Sequence, residues 1–217
     1  MSHITLIRHG QANSEATDEA SYDQLSPLGH QQASWLGDHM RATHQRHARL
    51  YTGTLRRHRE TAIGMDTGLT AIEDARLNEL EYFTLAAALR DEHGVPMPTD
   101  QEEFIQHLPR VFSAWKDDIL KGAPESFARF EDRVHSVITD IGAGNDPALV
   151  VTSGGLISMV MRQHLDLSIK AMANVALAIM NTSMHHFRPI GGTWSPVSFN
   201  TVPHLEMPDR HHAQTHV

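Results

Sequence analysis

Apolar residues along the chain follow two spacings that alternate from one end to the other. Short unbroken runs rich in β-branched residues are typical of buried strands, whereas apolar residues three or four apart are typical of helices. The strand-like runs are Ile4–Ile7, Arg49–Thr52, a weak one within 69–80, Ala148–Thr152, Leu177–Phe187 and Val197–Thr201. Strands that alternate with helices predict an α/β fold, a three-layer sandwich with a mostly parallel central sheet.

The helical segments carry start signals. Ser26 and Pro27 stand at the cap and first-turn positions ahead of one apolar stripe. Thr99 and Glu102 form a capping-box pattern ahead of another, and the periodicity predicts a further helix at Ser126–Ile141. The last two helices therefore belong to one long helical stretch between strands.

Chain length limits the number of domains. The chain has 217 residues, and domains average roughly 150 residues. We therefore expect residues 1–217 to form a single domain, with a helical insertion at about 84–142. The tail after Leu205 is rich in His, Asp and Pro, and we expect it to fray.

Composition narrows the class of protein. The chain has no cysteine and a formal net charge of −8. The lack of cysteine excludes disulfides and thiolate metal sites, and the negative charge argues against a nucleic-acid partner. No apolar run approaches the roughly 20 residues that cross a bilayer, and no targeting segment is visible. A cytoplasmic protein without a membrane partner is expected.

Two predicted strands end in polar segments that contain glycine. Arg8, His9 and Gly10 follow the first strand, and Ser153–Gly155 follow the late one. Ligand sites in open parallel sheets lie beyond the carboxyl ends of strands. A guanidinium matches the oxygens of a phosphate, and an imidazole can attack phosphorus and leave again. The alternative is that Arg8 and His9 only cap local backbone groups.

Further motifs follow these residues in a fixed order and span nearly the whole chain. They are Arg8-His9-Gly10-Gln11, Leu25–Gly29 with Gln32-Ala33, Leu55-Arg56-Arg57, Glu60-Thr61-Ala62, Leu77-Asn78-Glu79, the strand before Gly154-Gly155, and Asn200 with His204-Leu205. This ordered set resembles the histidine phosphatase superfamily, also called the phosphoglycerate mutase-like family.

The resemblance implies a role for each matching position. His9 would be the nucleophile that becomes phosphorylated, and Glu79 the general acid that protonates the leaving oxygen. Arg8 and Arg57 would contact the phosphoryl group. The chemistry is positioning and electrostatic stabilisation of a charged transition state, and it requires neither a metal nor another cofactor.

Loop residues would complete the phosphate site. Gln11 and Asn13 lie where loop residues of this family commonly touch the phosphate or the substrate. Ser153 and Gly154 would bind the phosphoryl group at the start of the helix after the late strand. The chain has Phe83 where many relatives have glycine, and this departure from the family pattern indicates a more apolar mouth of the site.

Ser153 departs from the family pattern, because the family normally has a second histidine at this position. The chain therefore resembles a subgroup with serine in place of that histidine. A neutral hydroxyl donates a weaker hydrogen bond than a charged imidazolium, which is roughly twice as strong a donor. Losing such a donor from a transition-state pocket costs about two to three decades in rate.

Three hypotheses follow from this serine. In the first, Ser153 and the backbone N–H groups of Gly154 and Gly155 are sufficient for an active enzyme. Alternatively another histidine fills the gap, the candidates being His185, His186 and His204. In the third, the protein binds a phosphorylated ligand with little turnover. We favour activity, because the nucleophile, both arginines and the acid are all present.

The resemblance therefore predicts a phosphomonoesterase that acts on a small phosphorylated metabolite through a phosphohistidine. It would be a metal-independent phosphatase of the histidine acid phosphatase type. Phosphoglycerate mutase-type transfer is the nearest alternative. It is less favoured, because a mutase must shield a released intermediate from water, while the insertion is modest and Ser153 departs from the mutase pattern.

Histidine is the unusual residue in the composition, at 17 of 217. Adjacent residues on a strand point to opposite faces, so His185 and His186 are poorly placed to chelate one ion. A second candidate group, His211, His212 and His216, lies in the tail, where ordering is costly. We therefore expect no metal site. The histidines expected to be solvated are His39, His44, His47 and His58.

Overall fold

A computed structural model describes residues 2–13 and 15–216 and shows one six-stranded sheet. The strands are β1 Ile4–Arg8, β2 Arg49–Thr52, β3 Ala71–Glu73, β4 Ala148–Thr152, β5 Met184–Ile190 and β6 Thr193–Thr201. Their order is β3-β2-β4-β1-β5-β6. The first four pair in parallel, and β5 runs antiparallel to both β1 and β6. The α/β fold with a mostly parallel sheet is confirmed.

Eight α-helices surround the sheet in the described part of the chain. They are α1 Glu19–Tyr22, α2 Pro27–Ala42, α3 Arg56–Gly64, α4 Tyr82–His93, α5 Gln101–Lys116, α6 Phe127–Gly142, α7 Gly154–Leu165 and α8 Ile169–Ala178. Short 3-10 helices cover Ala75–Leu77, Pro203–Leu205 and His211–Ala213. In the same described residues, no helix is long and apolar enough to cross a membrane.

The two central strands, β1 and β4, are buried along their whole length. Side chains on one face, including Ile7 and Val151, pack on Leu36 of α2 and Met65 after α3. Side chains on the other face, such as Leu6, belong to a larger cluster with α4–α8. Successive residues of a strand point to opposite faces, so these short apolar runs serve two cores and produce three layers.

Helix starts agree with the sequence signals, with one shift. Ser26 caps α2 by accepting a hydrogen bond from the N–H of Gly29 at 3.0 Å. The predicted Thr99 cap of α5 is wrong by one residue, because Asp100 accepts from the N–H of Glu103 at 2.8 Å. The Glu103 carboxylate in turn accepts the N–H of Thr99, the residue before the cap, at 2.8 Å. A carboxylate is favoured over a hydroxyl there because it also interacts with the helix dipole.

Three helices, α4, α5 and α6, lie between β3 and β4, in the stretch where the sequence predicted helices. That this stretch is an insertion into a single domain stays a prediction. The run Leu177–Phe187 is not one strand, because α8 extends to Ala178 and β5 begins at Met184. The tail is also ordered, since Leu205 and Ala213 are buried and pack together. The expectation of fraying was wrong for the described tail residues, whose apolar side chains find partners.

Candidate active site

The candidate site lies where β1 and β4 end side by side. Arg8 and Thr152 are partners in the parallel register of these strands. His9 and Ser153, the next residues, are therefore brought to the same edge, and the N–H of His9 donates to the carbonyl of Thr152 at 2.9 Å. The first turns of α3 and α7 begin at this edge. The pairing of two strands thus joins motifs that are more than half the chain apart.

The His9 ring is buried, and its two nitrogens have different partners. Nδ1 lies 2.7 Å from the carbonyl oxygen of Gly10, which only accepts, so Nδ1 carries the proton and donates. Nε2 accepts from Nε of Arg57 at 3.3 Å. Burial, reinforced by the charges of Arg57 and Arg8, holds the pKa of His9 well below its usual range. His9 is therefore neutral, with its Nε2 lone pair available.

Arg57 is held rigidly beside His9. Its Nη1 forms an ion pair with Oδ1 of Asp23 at 3.0 Å, and its guanidinium lies 5.0 Å from the ring centre of Tyr22. The side chain is only 3% exposed. Because the guanidinium stays charged over the accessible pH range and is already oriented, it is a preorganised donor for an anionic group at His9.

Arg8 is the second buried cation of the site. Its Nη1 donates to the carbonyls of Ile179 and His216, and the latter bond is 2.5 Å long. Its Nε is buried and makes no hydrogen bond with the residues that the structure describes. An unsatisfied buried donor is costly. A Cβ built on Gly154 would lie 3.7 Å from Nε of Arg8, so this N–H is available to a ligand oxygen near Gly154. The ordered tail thus helps to orient Arg8.

The loop after His9 packs tightly on α2. A Cβ on Gly10 would lie 2.4 Å from the carbonyl oxygen of Gly29, so only glycine is accommodated. The Gln11 side chain accepts from the Ser26 hydroxyl at 2.7 Å. The Asn13 side chain donates to the carbonyl of Ser21 at 3.0 Å. Both side chains therefore shape the loop, and their contact with a phosphate or substrate stays a prediction.

Glu79 lies at the N-terminus of α7. Its Oε2 accepts from the N–H of Gly155 at 2.9 Å, and its Oε1 accepts from the N–H of Leu80 at 3.0 Å. A Cβ on Gly155 would lie 2.4 Å from Oε1, which explains the glycine. The Thr152 hydroxyl donates to the carbonyl of Leu77 at 2.7 Å and fastens the Glu79 loop to β4. The predicted acid is thus held at the same edge as His9.

Ser153 stands at the N-cap of α7, fully buried, but its side chain does not cap the helix. Its Oγ lies 2.6 Å from Nε2 of His58. His58 is also fully buried, and its ring centre is 5.7 Å from that of His9. The expectation that His58 is solvated was therefore wrong, because the first turn of α3 faces the site. Its place directly after Arg57 was the sequence signal that could have found it.

The three histidines that were candidates for the gap at Ser153 all bond elsewhere. His185 pairs with Ser183, His186 with Thr5, and His204 with Thr182, at ring-nitrogen to hydroxyl distances of 2.9, 2.9 and 2.8 Å. The first two point from β5 to opposite faces of the sheet, and His204 lies under the ordered tail. That hypothesis for these residues was wrong.

The polar segment before α2 contributes the mouth of the site, which sequence reasoning missed. The Tyr22 ring lies edge-on to His9, with ring centres 6.3 Å apart, and 6.1 Å from Phe83. Oε1 of Glu19 accepts from the N–H of Phe83 at 2.8 Å. Burial raises the pKa of Glu19 to about 7. This short helix carries too few apolar residues to have been predicted from periodicity.

Candidate metal ligands are not gathered in this region. Across residues 2–13 and 15–216, no group of three or more His, Asp or Glu side chains is arranged to hold a metal ion. The donors around His9 include two guanidiniums, a hydroxyl and backbone N–H groups at a helix start. These are donors suited to an anion.

Comparison with known proteins agrees with this arrangement. The model of the histidine phosphatase superfamily (branch 1) matches residues 4–202, so the chain belongs to that family. No curated protein matches the sequence significantly.

Solved structures share the fold at low sequence identity. A mutant phosphoserine phosphatase from Entamoeba histolytica, in complex with phosphoserine, has a TM-score of 0.70 and 19% identity, covering 94% of this chain and 100% of that one. A mycobacterial glucosyl-3-phosphoglycerate phosphatase in complex with VO3 has a TM-score of 0.65 and 23% identity, covering 93% and 100%. A phosphoglycerate mutase from Bacillus anthracis has a TM-score of 0.68 and 19% identity, covering 94% of each chain.

Proposed function

We propose that this chain is a phosphomonoesterase that hydrolyses a small phosphorylated metabolite through a phosphohistidine at His9. The observation that carries the proposal is the neutral His9 imidazole, whose unprotonated Nε2 lies 3.3 Å from Nε of Arg57, a donor that can transfer its hydrogen bond to a phosphoryl oxygen. Family membership and the likeness to two phosphatase folds support the reaction class and a small phosphorylated substrate.

In the first step, Nε2 of His9 attacks phosphorus and the bond from phosphorus to the ester oxygen breaks. Glu79, protonated at this stage, gives its proton to the leaving oxygen and becomes a carboxylate. Arg57 and the free Nε–H of Arg8 stabilise the charge on the phosphoryl oxygens. The products are an alcohol and a phosphorylated His9.

In the second step, water attacks phosphorus and the bond from phosphorus to Nε2 breaks. Glu79 takes the proton from the water and returns to its acid form, and inorganic phosphate leaves. The bond from Nδ1–H of His9 to the Gly10 carbonyl, 2.7 Å long, keeps the ring in one tautomer throughout. Every proton in this cycle is carried by a residue of the chain, so the proposed mechanism is metal-independent, as in histidine acid phosphatases.

Two alternatives use the same pocket. Phosphoglycerate mutase-type transfer is supported by the likeness to a mutase fold, and it would return the phosphoryl group to a bound acceptor instead of to water. A binding protein with little turnover would hold a phosphorylated ligand on Arg8, Arg57 and the Ser153–Gly154 helix start. We favour an active enzyme over a binding protein because the nucleophile, both cations and the acid lie together at one edge. We favour hydrolysis over transfer because the predicted insertion is modest and Ser153 departs from the mutase pattern.

The test is phosphate release from a panel of O-phosphoserine, 3-phosphoglycerate, glucosyl-3-phosphoglycerate and 4-nitrophenyl phosphate. We expect hydrolysis of at least one ester, and we expect His9→Ala to lower kcat by roughly a thousandfold or more, since the covalent route is lost. Quenched mass spectrometry should locate the phosphoryl group on His9. His44→Ala, which changes an exposed histidine, is the control.

Phosphoryl transfer between glycerate positions without net phosphate release would favour the mutase. Saturable binding of an ester with no turnover and no labelled His9 would favour the binding protein. Turnover that survives in His9→Ala would contradict the proposed mechanism.

A further inference from the structure

The hydrogen bond between His58 and Ser153 joins two buried side chains at the phosphate end of the candidate site. His58 comes from the first turn of α3 and Ser153 from the N-cap of α7. Their Nε2 to Oγ distance is 2.6 Å, and the rings of His58 and His9 are tilted by 34° with centres 5.7 Å apart. Neither the motifs nor the proposed cycle assigns a role to His58.

The proton on His58 can be located. Burial and the charge of Arg57 lower the pKa of His58 well below its usual range, so the ring is neutral and has one N–H. Nδ1 is buried and has no hydrogen-bond partner among residues 2–13 and 15–216. A buried N–H without an acceptor is rarer and costlier than an unused lone pair. The proton is therefore placed on Nε2, which donates to Oγ of Ser153.

This direction leaves the Ser153 hydroxyl proton free. Ser153 is an N-cap residue, yet its side chain accepts no cap bond from α7. Its Oγ instead accepts from His58, and a hydroxyl that accepts one strong hydrogen bond becomes a better donor in the next. The proton of the Ser153 hydroxyl is therefore available to an anion at the edge beside His9.

We propose that His58 and Ser153 act as one donor unit, in which Nε2–H of His58 donates to Ser153 and the Ser153 hydroxyl donates to a phosphoryl oxygen. Ser153 is then the residue that touches the substrate, and His58 is a positioning residue that polarises it. The inference rests on the proposed phosphoryl transfer, and it assigns to α3 the imidazole that relatives supply directly after the late strand.

Packing explains why the imidazole comes from α3 and not from position 153. A Cβ on Gly53 would lie 2.2 Å from Nδ1 of His58, so the glycine makes room for the imidazole. Ser153 is fully buried, and the His58 ring occupies the space beyond its Oγ. A histidine at position 153 would collide with that ring, so the chain holds one imidazole in this space and not two.

A double-mutant cycle tests the unit. Ser153→Ala and His58→Leu should each lower kcat/KM for the best panel ester by about a hundredfold, and the double variant should be no worse than Ser153→Ala. His58→Gln keeps an amide N–H near the Nε2 position and should lose less than about tenfold. Additive losses, or full activity in His58→Leu, would overturn the proposal.

Exchanging the residues at positions 58 and 153 gives a result that a merely structural role of His58 would not produce. His58→Ala combined with Ser153→His should be at least about tenfold more active than either single change, because the imidazole then donates directly. An exchange no better than the single variants counts against the unit. The matched control is His204→Gln, another buried imidazole bonded to a hydroxyl, which should lower the melting temperature without lowering kcat/KM.

Calorimetric binding of inorganic phosphate separates this inference from the proposed function. Ser153→Ala and His58→Leu should each weaken phosphate binding by roughly tenfold, without a further loss in the double variant, and this holds even if the protein hydrolyses no ester. A wild-type chain without turnover would then refute the phosphatase alone. Unchanged phosphate affinity in both single variants would refute the donor unit, whatever the turnover.

Discussion

At the scale of single residues, the chemistry of the site depends on which nitrogen of His9 holds a proton. The Gly10 carbonyl binds Nδ1–H and so leaves Nε2 as the nucleophilic atom. Burial is the main cause of the low pKa of His9, and the nearest guanidinium, that of Arg57, adds to it. The same cation that would bind a phosphoryl group therefore also keeps the nucleophile unprotonated.

We expect Arg57→Gln to raise the pKa of His9, because a positive charge that disfavours the imidazolium is removed. Side-chain ¹⁵N NMR of the free protein, titrated against pH, measures this directly. Arg56→Gln is the matched control, since the adjacent Arg56 side chain is 62% exposed and pairs with Glu60. Equal His9 pKa values in the two variants would refute the assigned electrostatic role.

At the scale of elements, α6 positions the loop that carries Glu79. Nη1 of Arg133 donates to the carbonyls of Arg76 and Asn78 at 2.9 and 2.8 Å, and its guanidinium pairs with Glu125 at 2.6 Å. The helix therefore fixes the path of the loop before Glu79, whose carboxylate is bound to the start of α7. Helix α6 thus acts on the site without contributing a residue to its centre.

Loss of the Arg133 contacts should resemble a partial loss of Glu79 as the general acid. We expect Arg133→Met to lower kcat by about tenfold to a hundredfold for an alkyl phosphate, but to change little for 4-nitrophenyl phosphate, whose leaving group needs no proton. Glu79→Gln should show the same selectivity with a larger loss. Arg129→Met, an exposed change on the same helix, is the control. Equal losses on both esters would mean general destabilisation instead.

At the scale of the whole molecule, the histidine content affects acid stability. Several histidines are buried or half-buried and neutral. Burial lowers the pKa of His47 to about 4, so the expectation that His47 is solvated was wrong, and it lowers the pKa of His185 and His204 to about 3. Above pH 6.5 these side chains are neutral in the folded and unfolded chains alike, so they add no pH dependence. Below 6.5 the unfolded chain takes up protons that the folded chain excludes, and stability falls until the folded pKa values are reached.

We therefore expect the free energy of unfolding to fall steeply as pH drops from 6.5 to 4. Each buried neutral histidine should contribute a slope of about 1.4 kcal/mol per pH unit. Urea unfolding at several pH values measures the slope, and His185→Gln should reduce it by about one such contribution. His44→Gln should leave it unchanged. A wild-type slope in His185→Gln would contradict this explanation.

Much of the fold could be predicted from local pattern. The runs ending at Arg8 and Thr152 are mainly apolar because both faces of a central parallel strand are covered, and that pattern is visible without coordinates. A capping residue placed α2, and apolar periodicity placed α6. The start of β5 was misplaced because the residues before it form a buried turn, in which the N–H of Thr182 donates to the carbonyls of Arg8 and His9. The apolar residues on either side of this turn give the same pattern as a strand.

The sequence by itself determined the layered α/β architecture, the family and the identity of His9, Arg57 and Glu79 as candidates, because motifs at strand ends and helix starts are local signals. Only the tertiary structure decided what faces Ser153. His58 is distant from it in sequence, and its burial follows from the way α3 packs across the ends of β2 and β4. The count of 17 histidines indicated little about their roles, because an imidazole is solvated or buried according to the surface that packs against it.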